Sequence, residues 1–170
     1  MPSTKKIYWD SCIFLAWLKN EPRSKEEVDG IAECVDLVEA KQVHLITSVI
    51  TITEVFEGNL SADANEKYRL LLSRRNVTPL DNDLRVSRLA QKIREYYQNQ
   101  KTIDGLDGLS TPDAIHLATA IHYDADVFYT FDEGKKNGRK GRSLLSISGD
   151  VAGYNLKISK PTAMQFRLFG

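Results

Sequence analysis

Short runs of β-branched and aromatic residues alternate along this chain with longer stretches of helical periodicity, and that alternation restricts the fold more than any other feature. Ile7-Tyr8-Trp9 reads as a strand behind a basic lead-in. Asp10-Ser11 then offers an N-cap to a compact apolar helix from Cys12 to Lys19. Ser24 to Ala40 carries Val28, Ile31, Ala32, Val35 and Val38 at helical spacing with charges between them, the pattern of an amphipathic helix. Ala62 to Arg74 is a second such segment through Tyr68, Leu71 and Leu72, followed by a short strand at Val77–Leu80. Asp81 or Asn82 can cap a helix running through Tyr97, with Leu84, Leu89 and Ile93 on its buried side. Residues 99–110 set Gly105 and Gly108 among polar residues and read as a loop. Thr111-Pro112-Asp113 opens the next helix with a cap, a proline and an acid in the first turn. Val127–Phe131 reads as a buried strand, and Leu156–Ile158 as a further candidate. One segment resists assignment. The β-branched density of Val43–Phe56 favours a single long strand, whereas its length favours a strand from Val43 to Thr47 and then a helix capped by Ser48.

Strands alternating with helices predict an α/β fold with a mainly parallel sheet covered on both faces. A length of 170 residues suits a single domain spanning the chain with one sizeable core. With 42% hydrophobic and 27% charged residues, the composition is that of an ordinary globular protein. The formal net charge is zero, so any nucleic-acid-binding surface has to be local. Two cysteines, Cys12 and Cys34, without a CxxC or Cys/His cluster, support neither a zinc site nor a disulfide scaffold. Asp10 interrupts the apolar stretch near the N-terminus and no small-residue cleavage site follows. No run approaches the ~20 apolar residues that span a bilayer. The expectation is a cytoplasmic protein without a membrane partner.

Three acids occupy particular places in this frame. Asp10 follows the first strand, Asp113 opens a helix, and Asp132 follows the Val127–Phe131 strand. In an open α/β sheet ligands bind beyond the carboxyl ends of the strands, where Asp10 and Asp132 would lie. Glu54 would join them if a helix follows the second strand. Carboxylates gathered this closely raise one another's pKa unless a cation sits among them. Hard oxygen ligands suit Mg2+ or Mn2+, and such a centre suits phosphodiester hydrolysis, whose developing charge falls on oxygens facing the metal. Each acid also has a plain structural explanation: Asp10 and Asp113 as helix caps, Glu54 as a solvated residue, Asp132 as a turn residue.

The blocks that contain these acids resemble those of the PIN-domain family. YWDSCIFLAWL is similar to its first block, SVITITEVFEG to its second, and STPDAIHLATAIHYDADVFYTFD to its third and fourth, in the family's order over roughly residues 5–133. The resemblance implies a three-layer α/β/α sandwich and favours a strand followed by a helix at Val43–Phe56. It implies an Mg2+- or Mn2+-dependent ribonuclease whose acidic quartet corresponds to Asp10, Glu54, Asp113 and Asp132, with Ser11 as a supporting hydrogen-bond partner. Many compact members are VapC-type toxins that dimerise, cleave RNA and are silenced by an antitoxin. This chain departs from a minimal toxin of that type in continuing well past Asp132 and in placing GKKNGRKGR at 134–142. A non-catalytic PIN-fold module binding RNA or protein is the alternative, and the intact acids argue against it. A metal-dependent phosphatase on a similar sheet lacks a phosphate-cradling loop or a nucleophile motif.

Lys135, Lys136, Arg139, Lys140 and Arg142 form a basic cluster beside the fourth acid, readable as an arm on RNA phosphates or as a solvated loop. His44, His116 and His122 share no ligand spacing; His116, one turn after Asp113, could face the site but reads more readily as a packed or surface histidine. Glu57, Asp104 and Asp107 read as surface or loop acids. Trp9, Phe14 and Trp17 read as core. Met164, Phe166, Leu168 and Phe169 form an apolar tail that has to pack somewhere.

Overall fold

Successive side chains of a strand point to opposite faces of its sheet, and the first strand, Lys5–Trp9 (β1), buries both. Ile7 and Trp9 enter one hydrophobic cluster and Tyr8 the other. A computed structural model describes residues 4–136 and 139–163, with the backbone alone at 135–136 and 139–140. After β1 come α1 (Ser11–Lys19), α2 (Lys25–Glu39), β2 (Val43–Ser48), α3 (Ile50–Phe56) and α4 (Ala62–Leu72). Then follow β3 (Val77–Leu80), α5 (Leu84–Asp104), α6 (Thr111–His122), β4 (Val127–Tyr129), β5 (Lys135–Lys136), β6 (Arg139–Lys140), a 3-10 turn at Leu145–Ile147 and β7 (Ile158–Ser159). Five strands make one parallel sheet in the order β3-β2-β1-β4-β7. The expected α/β/α architecture is what these residues form.

Register carries the two-faced pattern across the sheet. Ile7 aligns with Leu45 on β2 and Val127 on β4, and Tyr8 aligns with Ile46 and Phe128. The first row joins the cluster under α1, α2 and α4, built around Trp9, Phe14 and Tyr68. The second joins the cluster under α5 and α6, with Ile93, Leu117 and Leu144. Burying each large side chain stabilises by roughly 1.5–3 kcal/mol, so both faces contribute and a register slip would cost both. Trp9, Phe14 and the partly buried Trp17 are core residues, as expected.

The Val43–Phe56 segment divides into strand and helix. Thr47 Oγ1 donates to the Trp9 carbonyl at 2.8 Å and lies 2.7 Å from Thr51 Oγ1, which ties the start of α3 to the end of β1. Val49, and not Ser48, holds the cap position. Helix α5 runs seven residues beyond Tyr97, into the segment expected to be a loop. Residues 98–104 contain no glycine or proline, and the helix stops only where Gly105 takes φ +69° and its N–H reaches the Lys101 carbonyl. Its cap is Asp83, which accepts from Arg85 and Val86 N–H. Ser110 caps α6, placing Thr111 and Pro112 in the first turn. The basic segment forms a short antiparallel hairpin, β5–β6, in place of a featureless loop. The apolar tail, Met164, Phe166, Leu168 and Phe169, lies outside the described residues. No described helix is long and apolar enough to cross a membrane.

Past β7 the chain is strapped to α2. Lys160 Nζ lies 3.0 Å from Glu27 and 2.5 Å from Glu133, although ion pairs this open contribute little. The closer constraint is steric, because a Cβ on Gly30 would lie 2.4 Å from the Pro161 carbonyl oxygen. Gly30→Ala would gain ~1 kcal/mol in an unconstrained helix. Here overpacking costing ~1–3 kcal/mol is expected to prevail and lower the urea midpoint, and an unchanged or higher midpoint would show that the strap yields freely.

Candidate active site

The carboxyl ends of β1, β2 and β4 lie side by side at one edge of the sheet, and the acids of interest gather there. Asp10 follows β1 directly, its N–H extending the β1–β4 ladder to the Tyr129 carbonyl at 3.1 Å. Its extended backbone makes it the N-cap of α1. Oδ1 accepts from Ser11 N–H at 2.7 Å, while Ser11 Oγ lies 3.4 Å away. Oδ2 accepts from Thr130 Oγ1 at 2.8 Å. Asp10 therefore caps α1 at the edge where the candidate site lies, and its two oxygens are fixed by separate elements.

Glu54 reaches the site from α3, where its Oε2 lies 2.7 Å from His116 Nε2. The same nitrogen is 3.6 Å from Asp10 Oδ1. Asp113, one turn before His116 on α6, accepts from Ser110 Oγ at 2.5 Å, and its own N–H donates back to that hydroxyl at 3.2 Å. The capping serine thus orients the acid as well as starting the helix. His116 is fully buried, which works against a charge on it. Its Glu54 hydrogen bond and the Asp10, Glu54 and Asp113 carboxylates outweigh burial and hold its pKa above the ordinary imidazole value.

Asp132 is coupled to this group through Thr130. Thr130 Oγ1 donates to Asp10 and accepts from Asp132 N–H at 3.1 Å. Asp132 Oδ1 in turn accepts from Gly134 N–H at 2.9 Å, closing a tight turn. Cys12 Sγ lies 3.4 Å from Thr130 Oγ1 and 3.5 Å from Asp10 Oδ2. Burial, reinforced by the Asp10 charge, pushes this thiol well above its ordinary pKa, so it stays protonated.

The structure thus brings Asp10, Glu54 and Asp113 around one imidazole and joins Asp132 to Asp10 through a hydroxyl. Among the described residues, no three His, Cys, Asp or Glu side chains converge in a set able to hold a metal as they stand. The donor chemistry nonetheless fits a hard cation. Each Asp10 oxygen accepts one short hydrogen bond and has only a longer contact beside it, to Ser11 Oγ or Cys12 Sγ, and Glu54 faces a donor from outside its own helix. Arg142 of the basic cluster lies elsewhere. Its side chain is 7% exposed, pairs with Asp104 at 2.8 Å and stacks over Tyr97 at 4.7 Å, packed against α5. Glu57 is exposed, His44 bonds Thr78 at 2.7 Å, and Asp107 pairs with Lys101 at 2.8 Å.

Sequence reasoning passed over Tyr8, Ser110 and Thr130, and it weighed His116 as facing the site but favoured a packed or surface histidine. Signals existed: His116 lies three residues after Asp113, one helical turn, and Thr130 two residues before Asp132. Thr130→Val keeps the shape but strips a donor from Asp10 and an acceptor from Asp132 N–H. Leaving buried groups unpaired costs ~1–3 kcal/mol, so thermal denaturation should show a clear loss of stability, and a wild-type midpoint would mean water or a rotation replaces both bonds.

A profile of the family described as PIN domain matches residues 7–139. No curated protein matches the chain. Among solved structures, VapBC2 from Rickettsia felis bound to a DNA fragment from its promoter is similar at 15% identity and a TM-score of 0.58, over 90% of this chain and 98% of that one. A toxin–antitoxin complex from Klebsiella pneumoniae is similar at 21% identity and 0.56, over 88% and 99%. FitAcB from Neisseria gonorrhoeae is similar at 20% identity and 0.51, over 75% and 88%. With the profile spanning most of the chain, this protein belongs to the PIN-domain family.

Proposed function

We propose that this protein is an Mg2+- or Mn2+-dependent endoribonuclease, acting as the toxin of a toxin–antitoxin pair in the cytoplasm. The observation that carries the reading is the gathering of Asp10, Glu54 and Asp113 around His116 at the carboxyl edge of the sheet. Asp10, Glu54, Asp113 and Asp132 would hold the cation, with Ser11 supporting Asp10. When bound, the cation supplies a lowered pKa for water and charge stabilisation on the phosphodiester.

The chain's own residues supply position. Ser11 N–H and Thr130 hold Asp10 from two sides, so its carboxylate has little freedom to follow an incoming ligand. Ser110 fixes Asp113 against its own helix. Without a cation, four carboxylates would repel a phosphodiester, so a site of this composition serves cleavage better than simple RNA binding. The backbone of the β5–β6 hairpin follows Asp132 directly, and Lys135, Lys136, Arg139 and Lys140 are proposed to contact RNA phosphates there. Arg142 is assigned instead to anchoring this segment on Asp104. The similar toxin–antitoxin complexes support an antitoxin partner, and a homodimer is proposed from the family resemblance alone.

Purified protein incubated with a panel of RNAs is expected to cleave with Mn2+ and to stop with EDTA. Asp10→Asn and Asp113→Asn should each lower kcat by at least ~100-fold, on the scale of losing a charge-stabilising group. Equal cleavage by wild type and variants would place the activity elsewhere. RNA binding without cleavage in any divalent metal would favour a non-catalytic module.

A further inference from the structure

We infer that His116, oriented by Tyr8, is a positioning residue that aims Glu54 into the acidic site. The inference rests on the metal-dependent reading above and deepens it.

The relay is built from three bonds. Ser48 N–H, at the end of β2, donates to the Tyr8 hydroxyl at 3.0 Å. That hydroxyl lies 2.7 Å from His116 Nδ1, and His116 Nε2 lies 2.7 Å from Glu54 Oε2. An ionised carboxylate can only accept, so Nε2 carries a hydrogen toward Glu54. Nδ1 and the Tyr8 hydroxyl share the other bond, with Tyr8 donating to a neutral ring and accepting from a charged one. The Ser48 N–H reaches the same hydroxyl oxygen, so Tyr8 is held at both ends of the relay.

Both rings have little room to turn. Tyr8 is fully buried, stacks on Phe128 at 4.8 Å with 8° between planes, and meets His116 edge-on at 5.9 Å. His116 is 1% exposed. Glu54, by contrast, is 26% exposed on a helix of seven residues that lacks a side-chain cap. A flexible, partly solvated glutamate therefore depends on a rigid buried imidazole for its direction. Its partner comes from α6, which also carries Asp113, so one helix sets two of the acids. An imidazole donor is an economical choice here, since its rigid ring presents Nε2 to Glu54 and Nδ1 to Tyr8 at once.

The test compares wild type with Tyr8→Phe, His116→Ala and His116→Gln. Mn2+ binding is measured by titration calorimetry and RNA cleavage as separate kcat and KM, with folding checked by near-UV circular dichroism. Loss of an outer partner of a metal ligand costs roughly 10–100-fold in metal affinity or activity. His116→Ala is expected to weaken Mn2+ binding and lower kcat by that factor with KM for RNA little changed. Tyr8→Phe keeps the stacked ring and loses one hydroxyl, so it should stay folded and lose a smaller fraction. It tests the relay even if the alanine variant does not fold. His116→Gln restores an N–H donor toward Glu54 and should recover most of the binding. Wild-type Mn2+ affinity and kcat in a folded His116→Ala or Tyr8→Phe protein would overturn the positioning role alone, and so would a glutamine variant no better than alanine. A wild-type protein that neither binds Mn2+ nor cuts RNA would remove the metal-dependent reading itself, and the positioning role with it.

Discussion

A carboxylate buried as deeply as Asp10 needs donors for its oxygens, and the donors it has found tie the fold to its site. One oxygen accepts from the first N–H of α1 and the other from a threonine just past β4. The same residue therefore starts a helix, closes the gap between two strands and turns a charge toward the carboxyl edge of the sheet. Hydrogen bonds to a charged acceptor are worth more than neutral ones, and these are short and largely shielded from water. Around this residue the remaining acids are placed by their own local devices: Asp113 by the serine that caps its helix, Asp132 by a turn at Gly134, and Glu54 by a histidine from the opposite side.

The two faces of the sheet divide the labour. Trp9 and its neighbours anchor α1, α2 and α4, which support the cap at Asp10. Tyr8, one residue earlier, points to the other face and meets α6. Strand alternation thus assigns consecutive residues to different tasks, packing for Trp9, orientation for Tyr8 and charge for Asp10. A buried tyrosine normally needs a partner for its hydroxyl. Here Tyr8 has two, and the second is part of the site.

Most of the architecture was legible because it is encoded locally. Period-2 strands, amphipathic helices and the breaks between them placed all but the short elements, and the family resemblance marked which acids to follow. Errors arose where the deciding contact is local but weak, or distant in sequence. The end of α5 was set too early because polar residues after Tyr97 look like a loop, although nothing before Gly105 forbids a helix. The break after β2 was ambiguous because Val, Ile and Thr favour strand, and only the Thr47 bonds to Trp9 and Thr51 decide it. Tyr8 and Thr130 escaped notice, and His116 was read as packing or surface, for a stronger reason. The partners that reveal their roles, His116 and Ser48 for Tyr8, Glu54 for His116 and Asp10 for Thr130, lie tens of residues or more away, and a tyrosine, a histidine and a threonine inside apolar segments look like packing until the strands are paired.

Pairing also has an order in time. The central strand β1 finds β2 within about forty residues, but its other neighbour, β4, is separated from it by some 120. Long-range parallel contacts of this kind must meet the loop-closure cost before they gain anything, and they form late. During synthesis, a ribosome-bound chain lacking Thr130 and Asp132 has Asp10 and Glu54 but no second wall for Asp10 to lean on. For a protein that would act on RNA, the consequence is a delay built into topology: the groups are made early, but the site that unites them is finished only when the fourth strand emerges.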